Sequence, residues 1–124
     1  MSKKNNDWIV KFDSIKKESK ETKKPEKKAQ KEKNTMIFIN SKVKNLAYEK
    51  NVTLHYRDSI SDTWKESEAK FDHVINEQEE IWSKAASFKG EYIEYAIKYE
   101  VGGNTYWDNN NGKNYKTYKD GRTI

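Results

Sequence analysis

The stretch YIEYAIKYEVGGNTYW, residues 92–107, decides the fold. Ile93, Tyr95, Ile97, Tyr99 and Val101 recur at every second position, with Glu94, Lys98 and Glu100 between them. Successive side chains of a β-strand point to opposite faces, so this spacing gives one apolar stripe and one polar stripe. Gly102 and Gly103 then supply a two-residue hairpin turn, whose positive φ angles glycine tolerates best. The chain returns through a second strand ending at Trp107, with Tyr106 facing inward to anchor the loop beyond it.

The same period runs through the rest of the chain. WIVKF places Trp8, Val10 and Phe12 on one face, and MIFINSKVKNL alternates Ile37 and Ile39 against Met36 and Phe38. NVTLHYR alternates Val52, Leu54 and Tyr56 against Asn51, Thr53, His55 and Arg57, while IWSKAASF sets Trp82, Ala86 and Phe88 on one side. Trp8, Trp82, Tyr95 and Tyr99 read as core, and His55 and His73, with no metal-ligand company, as surface residues. Several half-buried strands in succession predict an all-β chain folded as an antiparallel sheet or sandwich.

At 124 residues the chain is long enough for one core, expected over residues 7–124 behind a short tail at 1–6. It has no cysteine and no apolar run long enough to span a bilayer, so it reads as soluble, not secreted and cytoplasmic, with no membrane partner. The net charge of +5 invites a nucleic-acid reading, but it is concentrated in residues 16–33, KKESKETKKPEKKAQKEK, with nine lysines against four glutamates. The remainder balances, and the chain has only two arginines, Arg57 and Arg122. No nucleic-acid partner is expected, and the tract reads as a charged solvated loop over 16–34. An acidic or polyanionic partner for the lysines is the minor alternative.

The loop after Trp107 carries chemistry. In YWDNNNGKNY, residues 106–115, asparagines surround a glycine and a lysine. Each amide both accepts and donates, which matches the vicinal hydroxyls of a pyranose, and an exposed Trp or Tyr ring matches its apolar C–H face. Turn-making is the competing explanation, because asparagine bonds local backbone and accepts left-handed φ. A calcium loop fits poorly: the glycine of DNNNG falls at the fifth position rather than the sixth, and no closing glutamate follows at the required spacing.

Two blocks, VKNLAYEKNVTLHYRDSISDTW (43–64) and EYAIKYEVGGNTYWDNNNGKNY (94–115), resemble carbohydrate-binding module family 21. That family includes starch-binding domains of fungal glucoamylases and glycogen-targeting subunits of protein phosphatase 1. The resemblance implies an immunoglobulin-like β-sandwich in which the Lys-rich tract is an insertion in the first hairpin, removable without loss of the sandwich. It also implies two α-glucan sites and no cofactor. The first would use Trp64 and Trp107 for stacking, with Asn109, Asn111 and Asn114 as polar contacts. The second would use Tyr48 for stacking, Asn45 and Lys50 as polar contacts and Phe71 as an aromatic partner. Ala96 stands where fungal members carry a further aromatic, which implies a shallower first site.

No catalytic constellation is visible. Glu77, Glu79 and Glu80 fall in INEQEEIW, read as a solvated polar connection, and no nucleophile has an attendant base. The expected function is therefore non-catalytic binding of starch, glycogen or maltooligosaccharides. The alternative is a glycogen-targeting adaptor that recruits a phosphatase or a glycogen-metabolising enzyme. Val10-Lys11-Phe12 has part of a phosphatase-docking motif but lacks the preceding basic residue, and the strand reading explains it better.

Overall fold

A computed structural model describes residues 8–17 and 34–124. They form nine strands: β1 (Val10–Lys17), β2 (Thr35–Lys44), β3 (Lys50–Asp58), β4 (Lys65–Glu68), β5 (Lys70–Asn76), β6 (Glu79–Phe88), β7 (Tyr92–Val101), β8 (Asn104–Asp108) and β9 (Tyr115–Tyr118). One sheet has the order β1-β2-β6-β5. The other has the order β4-β3-β7-β8, with β9 also paired to β7. Every pairing is antiparallel.

Period-two alternation sets the sandwich. Ile37, Ile39 and Val43 of β2 and Ala86 and Phe88 of β6 meet Val52 and Leu54 of β3 and the whole Ile93–Val101 stripe of β7. Tyr95 and Tyr99 are completely buried, and each hydroxyl has a partner, as a buried phenol requires. The Tyr95 hydroxyl shares a hydrogen bond with Thr117 Oγ1 at 2.9 Å, and that of Tyr99 donates to the Lys44 carbonyl at 2.6 Å. Burial raises both phenols, that of Tyr99 to about 12. Gly102 and Gly103, at φ 58° and 80°, make the expected tight turn between Val101 and its partner Asn104.

The structure corrects the sequence reading in four places. Lys16 and Lys17 belong to β1 rather than to a loop; the rest of the lysine tract and the tail at 1–6 lie outside the described residues. Trp8 is absent from the core and half-exposed, its ring lying 4.4 Å from Lys44 Nζ, 5.4 Å from Lys42 and 5.8 Å from Lys11. Residues 65–76 hold two strands that alternation did not reveal. β5 is exposed along its whole length, so its ladder to β6 fixes it without a buried stripe to mark it. Finally, INEQEEIW is not simply solvated. Glu79 accepts from Asn76 and Lys44, which hold its carboxyl below the usual range, and Glu80 is buried.

Candidate functional site

The first group of expected residues lies on the outer face of the β4-β3-β7-β8 sheet. Lys98 pairs with Trp107, His55 with Ala96 and with Glu66, and Tyr56 with Lys65, which sets Trp64 beside Arg57. Trp64 and Trp107 are 44% and 48% exposed, and so stand out from this face. Arg57 lies 5.6 Å from the Trp64 ring and Lys98 lies 5.9 Å from that of Trp107. The Trp64 turn is tied down: Arg57 Nη1 donates to the Ser61 carbonyl, and Ser59 Oγ accepts from Glu91 N at 2.8 Å. Gly90 is required there, because a Cβ would come within 2.3 Å of Ser59 Oγ.

The 109–114 loop is held largely by its own amides. Asn109 Oδ1 accepts from Gly112 N, Asn110 Nδ2 donates to the Asn114 carbonyl, and Asn114 Nδ2 donates to Glu94 Oε2 at 2.9 Å. Asn110, Asn111 and Asn114 all have φ between 57° and 60°, a region where asparagine is enriched among non-glycine residues. The base of the loop is Asp108. Its carboxylate accepts from Asn110 N on one oxygen, and from Phe12 N and the Tyr115 hydroxyl, each at 2.7 Å, on the other. Burial, reinforced by that carboxylate, raises the Tyr115 phenol. Asn109, Asn111 and Asn114 are thus gathered beside Trp107, with turn-making and presentation in one loop. Of the three, Asn111 alone makes no side-chain hydrogen bond among the described residues.

The second group surrounds a groove of about 950 Å³ at the opposite end of β7, where the 45–49 loop crosses between sheets. Asn45, Tyr48, Lys50 and Phe71 all line it. Tyr48 is 94% exposed and Phe71 50%. Lys50 is different: its side chain is nearly enclosed, and Nζ lies 3.4 Å from Glu80 Oε2 and 3.5 Å from the Tyr48 carbonyl. It forms part of the groove floor while keeping donor capacity for a ligand.

Sequence reasoning missed three residues here. Trp82 was expected wholly in the core, but it is half-buried, packs edge-on to Phe71 with centroids 6.0 Å apart and lines the groove. Its indole donates to Glu80 Oε1 at 3.0 Å, so Glu80 joins Trp82 to Lys50. Alternation gives the face of a strand but not the distance from its end, and only the end of a sandwich lets an inward residue reach solvent. On the other face, His55 supports Trp107, with ring centroids 4.8 Å apart. Its Nε2 approaches Glu66 to 3.5 Å without forming a hydrogen bond. Ala96, opposite His55, is buried on this outer face.

No group of three or more His, Cys, Asp and Glu able to hold a metal occurs among the described residues. No helix among them is long and apolar enough to cross a membrane.

Comparison with known proteins matches this geometry to a family. Glucoamylase 1 of Rhizopus oryzae is 44% identical over 79 residues, covering 60% of this chain and 13% of that protein. Protein phosphatase 1 regulatory subunit 3B of Danio rerio is 40% identical over 96 residues, covering 69% of this chain and 31% of the relative. The chain therefore spans less than a third of either. The solved starch-binding domain of Rhizopus oryzae glucoamylase, in complex with β-cyclodextrin and maltoheptaose, superposes with a TM-score of 0.65 at 28% identity, covering 94% of this chain and 98% of that one. The carbohydrate-binding module of the muscle glycogen-targeting subunit of protein phosphatase 1 shares the fold, with a TM-score of 0.63 at 22% identity, covering 87% of this chain and 73% of that one. The model of the carbohydrate/starch-binding module, family 21, matches residues 20–118, and the chain belongs to that family of binding modules.

Proposed function

We propose that this chain binds α-glucans without catalysis, through two separated aromatic sites. One observation carries the reading: Trp64, Trp107, Tyr48 and Phe71 are all large, exposed and grouped in two places, each beside amides or a lysine already fixed by the fold. Flat rings offer a stacking surface to the sugar's C–H face, and fixed amides lower the ordering cost of gripping its hydroxyls. The starch-binding domain solved with β-cyclodextrin and maltoheptaose supports a glucan as the ligand. Each shallow site should bind in the micromolar to millimolar range, of order 4–8 kcal/mol. Because the sites lie on different parts of the molecule, a polymer that reaches both gains further by effective concentration.

Co-sedimentation with insoluble starch and with glycogen, at low and high salt, tests this. Wild type should pellet at both salt concentrations, and Trp64→Ala/Trp107→Ala should lose at least tenfold in apparent affinity while retaining its fold. A wild type that stays in solution with both polysaccharides would overturn the reading.

A second reading, an adaptor recruiting a phosphatase or glycogen enzyme, is favoured by the relatives named as phosphatase regulatory subunits. Val10-Lys11-Phe12 is a poor docking element for it, since Val10 is buried and Phe12 packs on Tyr95 and Tyr115. Phosphatase capture by the wild-type chain but not by Val10→Ala/Phe12→Ala, both shown to be folded, would reverse that judgement. Cytoplasmic residence, expected from the cysteine-free composition, is checked by cell fractionation.

A further inference from the structure

Beyond the second site, Phe71 also forms the wall of another groove, of about 650 Å³, on the outer face of the β1-β2-β6-β5 sheet. Phe38, Asn40 and Ser83 line it, together with Lys16, Lys70, Glu68 and Asp72. β5 pairs with β6 only as far as Ser83, so beyond that point the edge of β6 is unpaired and the groove opens. Asn40 is held at both ends. Its Oδ1 accepts from Ser83 Oγ at 2.8 Å, and its Nδ2 donates to Ser14 Oγ at 3.2 Å, which in turn donates to Asp13 at 3.0 Å. That leaves one amide hydrogen and one carbonyl lone pair of Asn40 available, in a fixed orientation. Phe38, on the same strand face two residues away and half-buried, supplies an apolar ring beside them.

A half-exposed aromatic next to an ordered amide, with charged residues of both signs in the lining, repeats the aromatic-and-amide chemistry of the two sites already described. Phe71 is the boundary they share, and Asn40 lies two strands from it, since Phe71 pairs beside Trp82 and Ser83 pairs with Asn40. Two strand spacings are about 10 Å, further than a single pyranose ring extends. We propose that the Phe38–Asn40–Ser83 groove is an extension subsite, which takes the continuing rings of a glucan chain that enters at Tyr48 and passes over Phe71. The inference rests on the glucan-binding reading of the second site. It makes chain length the quantity this face senses: a disaccharide seated at Tyr48 ends before Asn40, whereas a heptasaccharide reaches it.

The test is calorimetric titration of the whole chain with maltose and with maltoheptaose. The variants are Phe38→Ala, Asn40→Ala and, as a second-site control, Tyr48→Ala. Backbone amide shifts of wild type with both sugars provide a measurement that needs no substitution. Phe38→Ala and Asn40→Ala should weaken maltoheptaose about five- to tenfold, the loss that one ring contact or hydrogen bond supports, and leave maltose unchanged. Amides of Phe38, Asn40 and Ser83 should shift with maltoheptaose only. If both variants bind maltoheptaose as wild type does, or those amides stay still, the extension is overturned while the second site stands. If wild type binds neither sugar, the glucan reading itself falls and takes the extension with it.

Discussion

The two candidate sites solve the same problem with different materials. At Trp64 and Trp107 the aromatics stand on a flat sheet face, and the polar groups come from a loop stabilised by its own amides, three of them at positive φ. At Tyr48 and Phe71 the aromatics rim a groove, and the polar groups are joined through an enclosed ion pair, Lys50–Glu80, to the Trp82 indole. A carboxylate anchors each site: in the first, Glu94 lies 2.9 Å from Arg57 and also accepts from Asn114, and in the second, Glu80 joins Lys50 to the Trp82 indole, the Lys50–Glu80 pair being the more enclosed of the two. Damage to the more enclosed second pair should therefore reach the stability of the sandwich further than damage to the first.

The largest expected effect comes from that contrast. Glu80→Ala leaves Lys50 enclosed with no carboxylate and removes the acceptor of Trp82. Losing one partner of a buried pair costs about 3–5 kcal/mol; the mouth of the groove is partly open to water, so we expect about 3 kcal/mol in urea unfolding. Maltooligosaccharide binding at the second site should weaken, with first-site amide shifts unchanged. Stability within about 1 kcal/mol of wild type would show that the pair contributes little and that the two sites differ less than their chemistry suggests.

Next come the tyrosines that tie each loop to the core. The Tyr115 hydroxyl donates to the Asp108 carboxylate at the base of the asparagine loop, and that of Tyr99 to the Lys44 carbonyl at the start of the 45–49 loop. A hydrogen bond to a charged group contributes about 1.5–3 kcal/mol and one to a neutral carbonyl about 0.5–1.5 kcal/mol. Tyr115→Phe should therefore cost more than Tyr99→Phe, and each should loosen only its own site. Equal costs would mean that Phe12 N and Asn110 N satisfy Asp108 without the phenol. Both phenols, with that of Tyr95, are raised by burial above the ordinary tyrosine value of 10. A raised acid keeps its proton in the folded chain after the unfolded chain has lost it. The tyrosine contribution is thus complete below pH 10 and declines as pH climbs toward about 12 for Tyr99. Equilibrium unfolding measured across that window should show a shallower decline in either Tyr→Phe variant than in wild type.

How much of this was legible in the sequence depends on which physical rule wrote it. The buried stripe from Ile93 to Val101 and the Gly102-Gly103 turn were readable because alternation and positive φ are local. β5 was not, because an edge strand exposed on both faces carries no alternation. Trp64, Trp107, Tyr48 and Phe71 came from resemblance to a family, and the structure leaves all four exposed. Trp82, Glu80 and His55 were missed for a common reason: each owes its role to a partner on another strand or at a strand end. For Trp82 and Glu80 that setting is the mouth of the groove, and for His55 it is Trp107, more than fifty residues further along.

The smallest effect separates the two explanations of the asparagine loop. Asn111 sits at φ 58°, is exposed, and makes no side-chain hydrogen bond among the described residues. If turn-making were its whole role, glycine would serve as well, because glycine adopts left-handed φ without the Cβ penalty of about 1–2 kcal/mol that other residues meet there. Asn111→Gly should hold stability within about 0.5 kcal/mol of wild type, and Asn111→Ala should lose about 1 kcal/mol. If the amide also bonds a glucan hydroxyl, both variants should weaken first-site binding by a similar factor of about three to ten, the range of one neutral hydrogen bond. A glycine variant that binds maltoheptaose as wild type does would remove Asn111 from the site. Asn109 and Asn114 would then be the loop's ligand-facing amides, with Asn109 Nδ2 and Asn114 Oδ1 the groups their internal hydrogen bonds leave open.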